Sequence, residues 1–95
     1  METENAYQRK MSAQLKEWGA QINLLEAKME NVGAEMRLKR HEELQALRAK
    51  QREATEKMHE LGKSTGEAWQ QVKLTADKVW EELKTGLGEA QSKFK

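Results

Sequence analysis

The chain contains no proline, and over residues 7–61 its apolar side chains return at three- and four-residue steps. The steps run Tyr7, Met11, Leu15, Trp18, Ile22, Leu25, Met29, Val32 and Met36. They continue, through polar positions at Arg40 and Gln51, to Leu44, Leu47, Ala54, Met58 and Leu61. That spacing puts the residues on one face of a helix. A single helix of this span would be roughly 80 Å long and could bury nothing by itself. The face therefore demands a covering surface, and every fold open to the chain has to supply one.

The pattern predicts an all-α protein forming a single helical coiled-coil unit over residues 1–95. A long helix over about residues 3–61 is followed by a shorter one over about 64–93, as a helical hairpin or a kinked coiled coil. Thr3 is the expected N-cap, with Glu2 and Glu4 at the positive end of the helix dipole. The hinge or turn falls at 62–66, where Gly62 suits a left-handed helix end and Ser64 with Glu67 has the spacing of a capping box. Asn31-Val32-Gly33 is a second weak point, because glycine destabilises a helix interior by about 1 kcal/mol relative to alanine. A break there gives the alternative, a three-helix bundle. Against the bundle stands segment 35–63, where 14 of 29 residues are charged and the apolar face is too narrow for a middle helix. Within it, Glu35 with Lys39 and Glu53 with Lys57 have the order and spacing of i, i+4 ion pairs. The last helix carries Trp69, Val72, Ala76, Val79, Trp80, Leu83, Leu87, Ala90 and Phe94 on one face. Trp69 and Trp80, Val72 and Leu83, and Ala76 and Leu87 are each eleven residues apart, a period that favours straight packing.

Chemistry is mostly excluded rather than indicated. Seventeen basic against sixteen acidic residues leave a net charge of +1, finely interleaved, so the chain lacks the one-signed surface that nucleic acid attracts. Without cysteine there is no disulfide, thiolate metal site or thiol nucleophile, which fits a reducing compartment. The acidic N-terminus has no apolar leader and no run approaches a membrane span, so the expectation is a cytoplasmic chain, mature as written. His41 and His59 each open a sequence like a zinc-protease helix, but Gln45 and Lys63 stand where the second histidine belongs. Gly62-Lys63-Ser64-Thr65-Gly66 lacks the earlier glycine of a phosphate-binding loop, and no serine has a histidine at helical reach. The expectation is no enzyme activity, no catalytic, cofactor-binding or metal residues, and no small-molecule substrate. The last helix, with its aromatic face and flanking lysines, keeps a membrane-surface role as an alternative; Asp77, Glu81, Glu82 and Glu89 weigh against it.

In its Tyr7…Met11…Leu15-Lys16-Glu17-Trp18 opening, its Glu43-Leu44…Leu47-Arg48-Ala49-Lys50 middle, and its Gly66-Glu67-Ala68-Trp69…Val79-Trp80-Glu81-Glu82-Leu83…Phe94-Lys95 end, the chain resembles a family of small bacterial coiled-coil proteins. They are grouped as a stress-response family first noted in cyanobacteria. The resemblance covers nearly the whole chain and rests on tryptophan spacing and charge pattern. It implies an association with stress conditions, and no enzymatic activity, cofactor or site residues. Residues and resemblance together lead to a non-enzymatic helical interaction protein that self-associates by coiled-coil packing. Its expected interaction stripe is Leu15, Trp18, Ile22, Leu25, Met29, Val32, Met36, Trp69, Val72, Trp80, Leu83 and Leu87. An accessory or assembly factor laying the same methionine- and tryptophan-rich face on a larger protein is the alternative partner reading.

Overall fold

Three helices, α1 (Glu2–Lys28), α2 (Ala34–Lys63) and α3 (Gly66–Lys93), account for nearly all of the chain in a computed structural model. The structure describes residues 2–94, with side-chain surroundings described from Ala6 to Phe94, so the cap expected at Thr3 lies outside the described side chains. Contacts between side chains fix the direction of each helix. Glu26 meets Arg48 and Gln8 lies beside Gly62, which makes α1 and α2 antiparallel. Lys93 meets Glu43 and Lys50 meets Glu82, which makes α2 and α3 antiparallel as well. Tyr7 on Trp69 and Trp18 on Trp80 then set α1 parallel to α3. The result is an up-down-up bundle with Cα extents of 51 × 18 × 17 Å, the shape that three helices of about 45 Å give when laid side by side.

The all-α expectation holds, and of its two arrangements the chain adopts the three-helix bundle. The continuous helix over 3–61 does not form. Met29–Asn31 tightens into a 3-10 turn, Val32 is extended at φ −82° and ψ 130°, and α2 restarts from Gly33. Asn31, Val32 and Gly33 are weak helix formers, so interrupting the helix there is cheap. Folding α1 back onto the other two helices buries Ile22 and Leu25 to 0% and 2% exposure. Complete burial of such a side chain is worth about 1.5–3 kcal/mol, more than the helical hydrogen bonds lost at the break.

The narrow face of α2 does serve as one wall of the bundle, contrary to the argument from its charge. It buries Leu44, Leu47, Ala54 and Leu61, and the small Ala54 is fully enclosed. Charges flanking this face reach sideways to both neighbours: Arg48 pairs with Glu26 of α1, while Lys50 and Glu43 pair with Glu82 and Lys93 of α3. Long basic side chains thus widen the helix's contact without widening its apolar stripe. The ion pairs within α2 are the i, i+3 contacts Arg40 with Glu43, Lys50 with Glu53 and Lys57 with Glu60, in place of the expected i, i+4 set.

The turn expected at 62–66 is present with different chemistry. Gly62 stays helical, and Gly66 takes the left-handed conformation at φ 61°, which a side chain would strain. Ser64 forms no capping box, because its hydroxyl donates back to the Glu60 carbonyl at 2.7 Å. Thr65 is the residue before α3 and makes no side-chain cap. One core cluster runs the length of the bundle from Met11 to Phe94, and a smaller one of Leu61, Trp69 and Ala76 closes the end beside this turn.

Candidate interaction surface

Half of the expected stripe is buried within a single chain. Ile22, Leu25, Trp69, Trp80, Leu83 and Leu87 are buried, so the cover demanded by these positions is supplied by the chain's own helices. Leu15, Trp18, Met29, Val32 and Val72 are half-buried, and Met36 is 39% exposed. Apart from Val72 on α3, the incompletely covered part of the stripe lies along α1 and across the α1–α2 turn.

Trp18 marks the middle of that open part. Its ring sits 6.3 Å from the Trp80 ring at 49°, and the pair floors a groove between α1 and α3 of about 510 Å³. Met11 and Tyr7 extend the apolar floor, while Lys10, Glu17, Glu81 and Lys84 alternate in sign along the rim. The start of α1 is pinned beside this groove. Tyr7 stands edge-on to Trp69 at 5.5 Å, its hydroxyl donates to the Asp77 carboxylate, and Lys73 both pairs with Asp77 at 3.3 Å and lies 5.0 Å over the tyrosine ring. Partial burial, together with the hydrogen bond to Asp77 and its negative charge, raises the Tyr7 pKa well above the usual phenol value.

A second opening of about 350 Å³ lies at the end of the bundle near the α1–α2 turn, with Val32, Met36 and Phe94 on its walls and Lys28, Arg40 and Lys93 around it. Arg40 lies 5.9 Å over the Phe94 ring and pairs with Glu43, which also accepts from Lys93 at 2.9 Å. Partial burial pushes the Glu43 carboxyl up, but the bonds from Lys93 and Arg40 outweigh it and hold the group below its ordinary range. On the flank of α2 the Lys50 ammonium is raised, first by its hydrogen bond to Glu82, and that bond lowers the Glu82 carboxyl in turn.

Sequence reasoning missed the Tyr7–Asp77 bond, which joins residues 70 positions apart, and it passed over three leucines. Leu24, Leu38 and Leu74 are 64%, 70% and 71% exposed; each falls out of phase with the apolar face of its helix, and that phase was the available signal. His41 and His59 are both exposed on α2, and the Gln45 amide lies 3.1 Å from the His41 ring. Among the described residues no group of three or more His, Asp or Glu is gathered where it could hold a metal ion, and no helix is long and apolar enough to cross a membrane.

No protein-family description, curated protein or solved structure matches this chain.

Proposed function

We infer that this chain is a non-enzymatic helical interaction protein that self-associates by helix packing, in the cytoplasm. The observation that carries the reading is the distribution of exposure along the stripe. Leu15, Trp18, Met29 and Val32 are only half-buried and Met36 is 39% exposed, in one line along α1 and its turn. Tryptophan and methionine supply large, adaptable contact area, and Trp18, Met29 and Met36 are among the incompletely covered residues. The alternating rim of Lys10, Glu17, Glu81 and Lys84 supports an identical partner, since a surface of mixed sign can meet a rotated copy of itself with lysine against glutamate. A role under stress conditions belongs to the same proposal and rests on the resemblance of the tryptophan-containing segments alone.

Sedimentation equilibrium across a wide concentration range tests the reading. Reversible association of the folded chain supports it. A persistent monomer with full helical circular dichroism counts against it. A stoichiometric complex with one larger protein in place of self-association would favour the accessory-factor reading.

A further inference from the structure

The two turns of the bundle are held very differently. Between α2 and α3, Gly66 is left-handed and Ser64 is tied to the end of α2 twice, by its N–H to Leu61 and by its hydroxyl to Glu60. Between α1 and α2 no residue has positive φ. Val32 at φ −82° and Gly33 at φ −63° already lie near the helical range, and only their ψ angles, 130° and 155°, keep the chain bent. No side chain caps either the 3-10 segment or the start of α2. Backbone bonds from Val32 to Met29 and from Met36 to Gly33 hold the bend, and among the described side chains it has one exposed bond, from Arg37 to the Val32 carbonyl. The apolar phase also passes through the bend without a slip, since Leu25, Met29, Val32 and Met36 keep their 4, 3, 4 spacing.

We propose that the α1–α2 turn is a two-state joint, and that two copies of this chain associate by straightening it and exchanging α1. This rests on the self-association reading and specifies both its partner, a second copy, and its mode. In the exchanged form residues 2–63 make one helix of roughly 90 Å, and α1 lies in the same groove of the other chain's α2–α3 hairpin. Tyr7 on Trp69 and Asp77, Trp18 on Trp80, and Glu26 on Arg48 are all remade between chains. Because those contacts are conserved, the balance is set by the joint and by concentration: helical hydrogen bonds gained at residues 32–36 against the entropy of bringing two molecules together. Met29, Val32 and Met36, half-open in the single chain, then fall where the two joints meet.

Opposite substitutions at one residue test this. Gly33→Pro suits the bent form, since φ is −63°, the preceding Val32 is already extended, no atom lies within 4 Å of an added Cβ, and the turn's hydrogen bonds are donated by Val32 and Met36 rather than Gly33. The same ring forbids the straight form. Gly33→Ala favours the straight helix about fivefold per chain, hence roughly thirtyfold for a dimer with two joints. Sedimentation of the full-length chain should show Gly33→Ala dimerising at markedly lower concentration than the parent and Gly33→Pro remaining monomeric with unchanged helicity. Spin labels at the exposed Ser12 and Thr55 give a second readout that does not depend on the proline variant folding. Doubly labelled chains diluted into unlabelled protein should show a separation near the 18 Å bundle width in the monomer and one of roughly 65 Å in the dimer. Association that survives Gly33→Pro at full helicity, or a dimer whose labels stay close, overturns the exchange and leaves self-association standing. A Gly33→Ala chain that stays monomeric to millimolar concentration overturns both.

Discussion

At the scale of single residues, the aromatic side chains of α1 and α3 carry the sharpest consequences. Trp80 is 4% exposed and packs on Trp18, and its indole N–H is enclosed without an acceptor among the described side chains. Trp80→Ala should therefore cost about 3–5 kcal/mol in chemical denaturation. Trp80→Phe should cost clearly less, since it keeps a ring in the site and removes an unpartnered donor. A loss under about 1 kcal/mol for the alanine variant would mean the ring is not an interior contact. Tyr7 makes a prediction in pH. Burial, then Asp77, raises the phenol pKa in the folded chain, so the proton is held more tightly folded than unfolded. Its contribution to stability is fully present below about pH 10, the unfolded value, and is lost as pH rises toward the higher folded value. Tyr7→Phe should be about 1 kcal/mol less stable at neutral pH, from the lost bond to Asp77. It should then lose less stability than the parent above about pH 10. Denaturation curves of both proteins across that range check the sign; parallel profiles would disprove it. Lys50, also raised, weakens the fold at high pH in both proteins alike and so cancels from the comparison.

At the scale of elements, α3 was the most readable part of the chain and α2 the least. The eleven-residue spacing put Trp69, Trp80, Leu83 and Leu87 on one face, and that face is the interior because no charge interrupts it. The break at Asn31-Val32-Gly33 was visible only as weak propensity. What decides it is the burial of Ile22 and Leu25 against other helices, a long-range gain that no local window contains. The charges of α2 misled for a related reason. Arg48, Lys50 and Glu43 look like a solvated surface along one helix, and their partners Glu26, Glu82 and Lys93 lie 22 to 50 residues away. For the candidate surface, the stripe residues were legible as a set. Which of them stay open depends on how closely α1 sits against α3, and spacing does not encode that distance. A local prediction also belongs here. Gly88 lies inside α3, exposed, with nothing within 4 Å of where a Cβ would stand. Gly88→Ala should raise stability by about 1 kcal/mol by improving helix propensity alone. Thermal unfolding measures it, and a destabilised variant would mean that the last turns of α3 are shaped differently.

At the scale of the whole molecule, the three helices contribute unequally to one core. α3 buries Trp69, Ala76, Val79, Trp80, Leu83, Leu87 and Ala90, whereas the described part of α1 buries only Met11, Ile22 and Leu25 completely. The hairpin of α2 and α3 is further tied by the left-handed turn at Gly66 and by the Lys50–Glu82 and Lys93–Glu43 pairs. α1 is held by Met11, Ile22 and Leu25 in the core, by its aromatic pins at Tyr7 and Trp18, and by Arg48. Less buried apolar area and a turn without caps lower the free energy of releasing an element, so opening should be graded rather than uniform. Native-state hydrogen exchange should show the amides around Ile22 and Leu25 exchanging through an opening that costs several kcal/mol less than the one exposing Leu83 and Leu87. Low concentrations of denaturant should leave that smaller opening nearly unchanged in size while global unfolding rises to meet it. Tyr7→Phe should lower the α1 opening energy more than that of α3, since the Asp77 bond is broken whenever α1 departs. If every slow amide in the three helices shared one exchange energy, α1 would be as firmly seated as its neighbours, and release of α1 as a step short of global unfolding would have to be abandoned.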